Sequence, residues 1–369
     1  MTTTTTTKPD KAGAGTKATP KPKATSRAAK SKAISKIKAK VKDKAKVKGM
    51  AAKDKFKAAD KAKNKSKLSS KADIRELRLV KEAKIQDLIG DSAGTRLEAS
   101  GVLYHDGAFL VVCDNLPSFI RVGSELSPKA PENGVMTVNR KKSDSKQANA
   151  GYEDLAHDTL HDRYFTLSEA EPVKPKGYRA RVQEYDAKLR PITSAHLDFA
   201  LADANKGMEG LEWIDRSGTG HLLALCEGNR CQGGRKGRRP GGGRIQVFRR
   251  DGKRWAHTDT IRLPRSLPFE DYSSVSVRDG RIAVLSQASS ALWTGRLDVK
   301  KWQVDEGTVH RLPTDGKGRT VYGNPEGVSW VSADHVVIVS DRAKKGAGSE
   351  RLRAKDQSIH LFLIPGNNG

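Results

Sequence analysis

From Asp73 onward the sequence predicts an all-β fold, one hairpin unit repeated around an axis. Three observations predict it: a hydrophobic hairpin recurs five times, further strand-like runs follow each copy, and the last copy stops one strand short. The best-kept copy is GNPEGVSWVSADHVVIVSDRA (Gly323–Ala343), where Glu326-Gly327 opens the first run and Ser340-Asp341 closes the second. GMEGLEWIDRSGTGHLLALCEGN (Gly207–Asn229) keeps Glu209-Gly210 and Cys226-Glu227. GYEDLAHDTLHDRYFTLSEA (Gly151–Ala170) keeps Glu153-Asp154 and Ser168-Glu169. EASGVLYHDGAFLVVCDN (Glu98–Asn115) keeps Ser100-Gly101 and Cys113-Asp114, and DYSSVSVRDGRIAVLSQAS (Asp271–Ser289) keeps Ser273-Ser274 and Ser286-Gln287. A unit recurring about every 50 to 65 residues is the signature of a repeat architecture.

Each hairpin supplies two strands, and alternating runs downstream supply a third and usually a fourth. These are Tyr178–Tyr185 and Ile192–Phe199, then Arg244–Phe248 and Ala256–Leu263, then Ala291–Leu297 and Gly307–Leu312. Four antiparallel strands per unit, repeated radially, make a β-propeller. The last copy ends after Ser358–Ile364, so its fourth strand is expected from Leu77–Leu88, closing the ring with both chain ends. That gives five blades. Six would need a blade from Ser124–Ala150, a polar stretch broken by Pro and Asn-Gly.

In a blade the first strand lines the central channel and the second runs back. The starts and ends of the repeated hairpin therefore meet on one face near the axis. This places Glu153, Glu209 and Glu326 beside Asp114, Glu169, Glu227 and Asp341 at one channel mouth, with Asp154 among them. Ser100, Ser273 and Gln287 stand where acids are otherwise repeated, so the mouth is expected to be acidic on one side only. The loops opening on the same face are basic. One carries Arg230, Arg235, Lys236, Arg238, Arg239 and Arg244; another carries Arg342, Lys344 and Lys345; the stretch Asn139–Lys146 adds more. Acids at the centre with cations at the rim suit a divalent cation, expected to be calcium, and a phosphorylated or other anionic ligand. The competing reading of each acid is blade closure through neighbouring backbone N–H groups. The Gly-Arg loop is read first as a disordered insertion, and second as an anion cradle.

Composition divides the chain at residue 72. Residues 1–72 carry 22 Lys and Arg27 against four Asp, a net charge of +19 out of +26, with Phe56 the only aromatic. Such a segment cannot bury enough apolar surface to offset ordering entropy, so a disordered polycationic tail is expected. Lys36, Lys38, Lys40, Lys42, Lys44, Lys46 and Lys48 alternate along it, which suits phosphate contacts to nucleic acid without base reading. A solubilising arm and binding to another polyanion or an anionic membrane surface remain the alternatives. Residues 73–369 are long enough for a sizeable core. Three cysteines make no disulfide framework. Cys113 and Cys226 read as buried thiols, and Cys226 with Cys231 is only half a zinc set. With no secretory h-region or membrane span before the propeller, a cytoplasmic, nucleoid-associated location is expected.

The Glu-Gly-hydrophobic starts, with hydrophobic-Ser-Asp or Cys-Glu-Gly-Asn ends, resemble β-propellers with phytase-like or esterase-like activity and the related SdiA-regulated and SMP-30-type propellers. The resemblance covers nearly all of residues 73–369 through short, degenerate motifs. The tail is similar in composition to Lys/Ala-rich linker-histone-like proteins. Phytase-type propellers bind calcium through channel acids and cleave phosphate esters there, so the resemblance implies Glu209, Glu227, Glu326 and Asp341 as first cation ligands. No G-x-S-x-G elbow is present, and His157 with His161 falls on a lower-face turn where a zinc site is not expected. Two function classes remain open: a metal-dependent phosphoester hydrolase, and a non-catalytic binding platform. The fold serves both.

Overall fold

The computed structural model describes residues 75–93, 96–138, 151–175, 177–202, 206–343 and 350–366. Lys36 to Lys48, the Asn139–Lys146 stretch, Lys344 and Lys345 lie outside the described residues.

Along the chain the strands are β1 (Arg75–Glu76), β2 (Arg78–Lys84), β3 (Ala99–His105), β4 (Ala108–Cys113), β5 (Leu116–Gly123) and β6 (Gly134–Met136). The second unit is β7 (Tyr152–Asp158), β8 (Arg163–Pro172), β9 (Tyr178–Tyr185) and β10 (Pro191–Asp198). The third is β11 (Met208–Arg216), β12 (Thr219–Cys226), β13 (Arg244–Asp251) and β14 (Arg254–Arg262). Then come β15 (Ser274–Arg278), β16 (Arg281–Ser286), β17 (Ala291–Asp298), β18 (Gln303–Val304) and β19 (Thr308–Arg311), and finally β20 (Pro325–Trp330), β21 (His335–Ser340) and β22 (Ser358–Leu363). The antiparallel order β3-β4-β5-β6, and its equivalents, builds five blades. The innermost strands β3, β7, β11, β15 and β20 contact one another in ring order, with β20 returning to β3.

The ring closes as the repeat count requires. β2 pairs with β22, from Arg78 opposite Leu363 to Lys84 opposite Ser358, and completes the fifth blade. The closing strand is shorter than Leu77–Leu88, because Ile85–Ile89 forms a helix whose Ile85, Leu88 and Ile89 are buried. A further strand, β1, adds in parallel to β19 of the fourth blade with Arg75 opposite His310. The N-terminal segment thus fastens two neighbouring blades. A sixth blade is ruled out, since Gly134–Met136 serves as the outer strand of the first.

The middle strands are nearly unbroken apolar runs because both faces of each blade are covered by neighbours. β21 shows the logic. Val337 and Val339 pack with Val111 and Cys113 of the first blade, while Val336 and Ile338 pack with Leu285 and Leu292 of the fourth. The same alternation makes one apolar cluster at each of the five junctions. The outer strands of the second and third blades also pair in parallel, Leu197 opposite Trp255, joining these two blades into one eight-stranded sheet.

At the axis the inner strands approach so closely that the repeated glycine has a steric cause. A Cβ on Gly327 would lie 2.8 Å from Gly101 Cα, and one on Gly101 would lie 2.7 Å from Asp154 Cα. Three repeats carry glycine at this position and the fourth repeat carries Ser274, while the second carries Asp154, whose carboxylate turns into the axis. Its Oδ2 accepts from Leu211 N at 3.0 Å and from Ser274 Oγ at 2.9 Å, and Ser274 Oγ in turn accepts from Val328 N at 3.1 Å. Four blades are thereby tied through one buried carboxylate. Asp154 belongs to blade closure rather than to the acids of the mouth.

Candidate functional site at the channel mouth

Each glutamate that opens a repeated hairpin sits at a β-bulge. The pairing of β7 with β8 skips between Tyr152 and Asp154, that of β11 with β12 between Met208 and Gly210, and that of β20 with β21 between Pro325 and Gly327. The skipped residues are Glu153, Glu209 and Glu326. A bulge leaves one residue unpaired and re-aims its side chain, and here three glutamates are turned into one mouth. β3 repeats the irregularity at Ser100.

These acids converge. Glu153 senses the charges of Glu209, Glu169, Asp114 and Glu326, and burial together with that crowding holds its carboxyl well above the usual range. Burial and neighbouring Glu169 push Glu209 up to about 8, against the pull of Lys206 and a side-chain hydrogen bond with Glu153. Glu169, Glu209 and Glu227 each present an oxygen within 4.8 Å of the others. Glu169 Oε1 also accepts from Gly207 N at 3.0 Å, and Lys206 Nζ forms an ion pair with Glu227. Glu326 accepts from Gln287 Nε2. Burial and Glu98 raise Asp114, while Asp341 accepts from Arg342 N and from Asn324 Nδ2 at 3.5 Å.

The mouth is acidic around the ring rather than on one side only. Where serine stands in place of the starting acid, in the first and fourth repeats, an acid stands two residues upstream: Glu98 before Ser100, and Asp271 before Ser273. Asp271 contributes to the charge around Glu209 and Lys206, and Glu98 to that around Asp114. Lys206, Glu98 and Asp271 are the site residues that sequence reasoning missed. The offset of two was the available signal for the acids.

The Gly-Arg loop is built, which corrects its reading as a disordered insertion. Asn229 is wholly buried at its centre. Its Nδ2 donates to Gly237 O at 2.9 Å and Phe269 O at 3.1 Å, and its Oδ1 accepts from Gly242 N at 2.8 Å and Tyr272 OH at 3.0 Å. Cys226 and Cys231 form a disulfide at its root, so Cys226 is not a free thiol and the pair is not half a zinc set. A bonded pair also removes the thiol-based argument for a reducing compartment. Cys113 is free and buried, as expected. Within the loop Arg230, Arg235, Lys236, Arg238 and Arg239 are exposed. Arg238 adds to the charge around Lys206. Arg244 faces Arg262 directly across the strand pair, with Arg230 and Arg265 also near it. Arg342 is spent in part on Glu98, at 3.4 Å.

His157 and His161 do not meet. His161 Nδ1 lies 2.7 Å from Asp158 Oδ2, whereas His157 turns to Asp162 and to His105 of the first blade. Among the described residues, no helix is long and apolar enough to cross a membrane.

The solved structures to which this chain is similar are distant. The glutaminyl cyclase of Myxococcus xanthus shares 13% identity over 79% of this chain and 98% of that chain, with a TM-score of 0.45. A GH43 β-xylosidase/α-arabinofuranosidase from a compost microbial metagenome, solved with xylotriose in a calcium-free form, shares 10% over 79% and 97%, also at 0.45. The Dos1 propeller shares 10% over 79% and 75%, at 0.36. Such likenesses carry none of those proteins' chemistry to this chain. No protein-family profile matches the sequence, and neither does any curated protein. The chain's own topology and site define its class: a five-bladed β-propeller with a carboxylate-lined channel mouth.

Proposed function

We propose that the mouth binds a divalent cation of the calcium class on Glu169, Glu209 and Glu227, and that the propeller hydrolyses a phosphoester there, as its resemblance to phytase-like propellers implies. The observation that carries this reading is the convergence of those three carboxylates beside the crowded Glu153. The donor set fits: converging carboxylate oxygens without thiol or imidazole favour a hard cation over zinc. When bound, the cation supplies positive charge that holds a phosphoryl oxygen among acids that would otherwise repel it. The chain's residues do the rest. Glu153 and Glu209 give up their shared proton to the solvent, Lys206 yields Glu227, and the arginines of the Gly-Arg loop draw the anion to the rim.

A second reading, a non-catalytic binding platform, is favoured by one observation. Lys206 and Gln287 already hold Glu227 and Glu326 in place, as a static recognition face would require. One experiment separates the readings: melting of the full chain in calcium chloride and in chelator, beside hydrolysis of p-nitrophenyl phosphate. A calcium-dependent rise in Tm with calcium-dependent turnover supports the hydrolase. The rise without turnover selects the platform, and indifference to both sinks the cation site.

The Lys36–Lys48 stretch is proposed to bind the backbone of nucleic acid, on the strength of +19 in 72 residues. Affinity for duplex DNA should fall with salt at a log–log slope of about −0.9 per neutralised phosphate. A chain lacking residues 1–72 that binds as tightly would move the contact to the Gly-Arg loop.

A further inference from the structure

We propose that His105, His157 and Asp162, at the opposite end of the inner strands from the acid mouth, form a binding site for a zinc-class transition-metal ion. The site is independent of the channel-mouth reading. His105 ends β3 and His157 lies near the end of β7, four to five residues beyond the bulges, roughly 15 Å at ~3.3 Å per residue. One donor atom from each of the three residues lies within 4.8 Å of the others.

The donors differ in kind from those of the mouth. Two imidazoles and a carboxylate suit zinc, cobalt or nickel, and three protein ligands leave a position open for water. The imidazoles must be neutral to ligate.

The site is also held in place. The His157 ring stacks on Tyr164, with centroids 4.4 Å apart at 27°, and its side chain is 5% exposed. His105 lies over the same ring at 4.1 Å. Asp162 is aimed by its turn: Asp158 Oδ1 accepts from Leu160 N at 2.9 Å and His161 N at 3.3 Å, and Asp162 itself adopts φ 48°. That brings its Oδ1 to 2.9 Å from His157 Nε2. Asp106 Oδ2 stands 3.3 Å from His105 Nε2, a carboxylate placed to orient that ring. Ligands at about 2.0–2.1 Å from a tetrahedral ion lie roughly 3.3 Å from one another. Rotation of Asp162, 60% exposed, can supply the closure, and the same exposure gives an ion its way in.

The test uses the full chain, freed of metal by chelator and titrated with cobalt(II) and then zinc chloride. We expect a visible cobalt absorption of the low-coordinate, nitrogen-ligated kind, displaced by one equivalent of zinc. Asp162→Asn keeps the hydrogen bond to His157 and should weaken zinc binding tenfold or more. His105→Gln should do the same. His161→Ala should leave zinc affinity unchanged, because its imidazole does not belong to the cluster. Absence of the cobalt band, or a band lost in His161→Ala and kept in Asp162→Asn, would overturn the site.

Discussion

Glu153 and Glu209, bulge residues of adjoining blades, share a side-chain hydrogen bond at the channel mouth. Two carboxylates can do this only while one of them holds a proton. The pair therefore stores a proton at neutral pH that a cation would displace, and cation affinity should rise with pH as that proton is lost.

The sign of the stability effect follows from linkage. Glu209 titrates near its ordinary 4.5 when unfolded and near 8 when folded. Between those values the native state holds the proton that the unfolded chain has released. Stability from this group is thus complete below pH about 4.5 and is lost as pH rises through about 8. In chelator, Tm should decline across that window, and Glu209→Gln should flatten the decline by a few degrees, about what ~1 kcal/mol yields in a domain of this size. Saturating calcium should flatten it in the wild type and add little in the variant. A variant less stable than wild type in chelator at pH 8 would instead assign Glu209 to blade closure.

Much of the fold was legible because the repeat was legible. Five hairpins and an unfinished fifth blade fixed both the blade count and the closure by the N-terminal segment, which β2 and β22 make. The acids at Glu153, Glu209 and Glu326 could be read because their neighbours are constrained to glycine or Asp154. What could not be read depends on contacts between distant segments. His105 reaches His157 across a blade junction, a meeting that no local spacing encodes. The Cys226–Cys231 bond was discounted on cysteine count, though a five-residue separation in a tight loop permits it. Glu98 and Asp271 were hidden by an offset of two, since matching position to position finds serine there.

Asn229 makes a different prediction. Its amide is buried and satisfied on both sides, joining Gly237, Gly242, Phe269 and Tyr272. Asn229→Ala strands those carbonyls and N–H groups, at a cost of about 1–3 kcal/mol for the first unsatisfied group. We expect a Tm lower by several degrees, and trypsin cleavage at Arg235, Lys236 or Arg238 before the rest of the propeller yields. Asn229→Asp should rescue little, because a carboxylate cannot donate to Gly237 O and Phe269 O. Cleavage kinetics equal to wild type would mean that the disulfide alone holds the loop.

The axis glycines predict a steric loss confined to the inner ring. Gly327→Ala drives a methyl to 2.8 Å from Gly101 Cα and Val102 N, backbone atoms that cannot swing aside. Overpacking of this kind costs about 1–3 kcal/mol. The same substitution at Gly134, where nothing lies within 4 Å, is the control. Chemical denaturation of the two variants should separate their midpoints, with Gly327→Ala the lower.

The last prediction concerns closure. β2 supplies the fifth blade's outer strand, and β1 holds the fourth blade through Arg75 and Glu76, while Leu77, 1% exposed, is buried between them. Leu77 N also donates to Arg311 O at 2.8 Å. Removing this segment exposes the edges of β22 and β19 and uncovers Leu312 and Phe362 of the cluster that contains Leu77. A chain beginning at Arg75 should therefore melt as the full chain does, in one cooperative transition. One beginning at Gly90 should lose that transition, or associate through its open edges. Leu77→Ala isolates packing from pairing: it should cost about 2–5 kcal/mol while leaving the strands in register. A monomeric, cooperatively folded chain beginning at Gly90 would show that the ring holds without its latch, and that the inner-strand contacts around Asp154 suffice to close it.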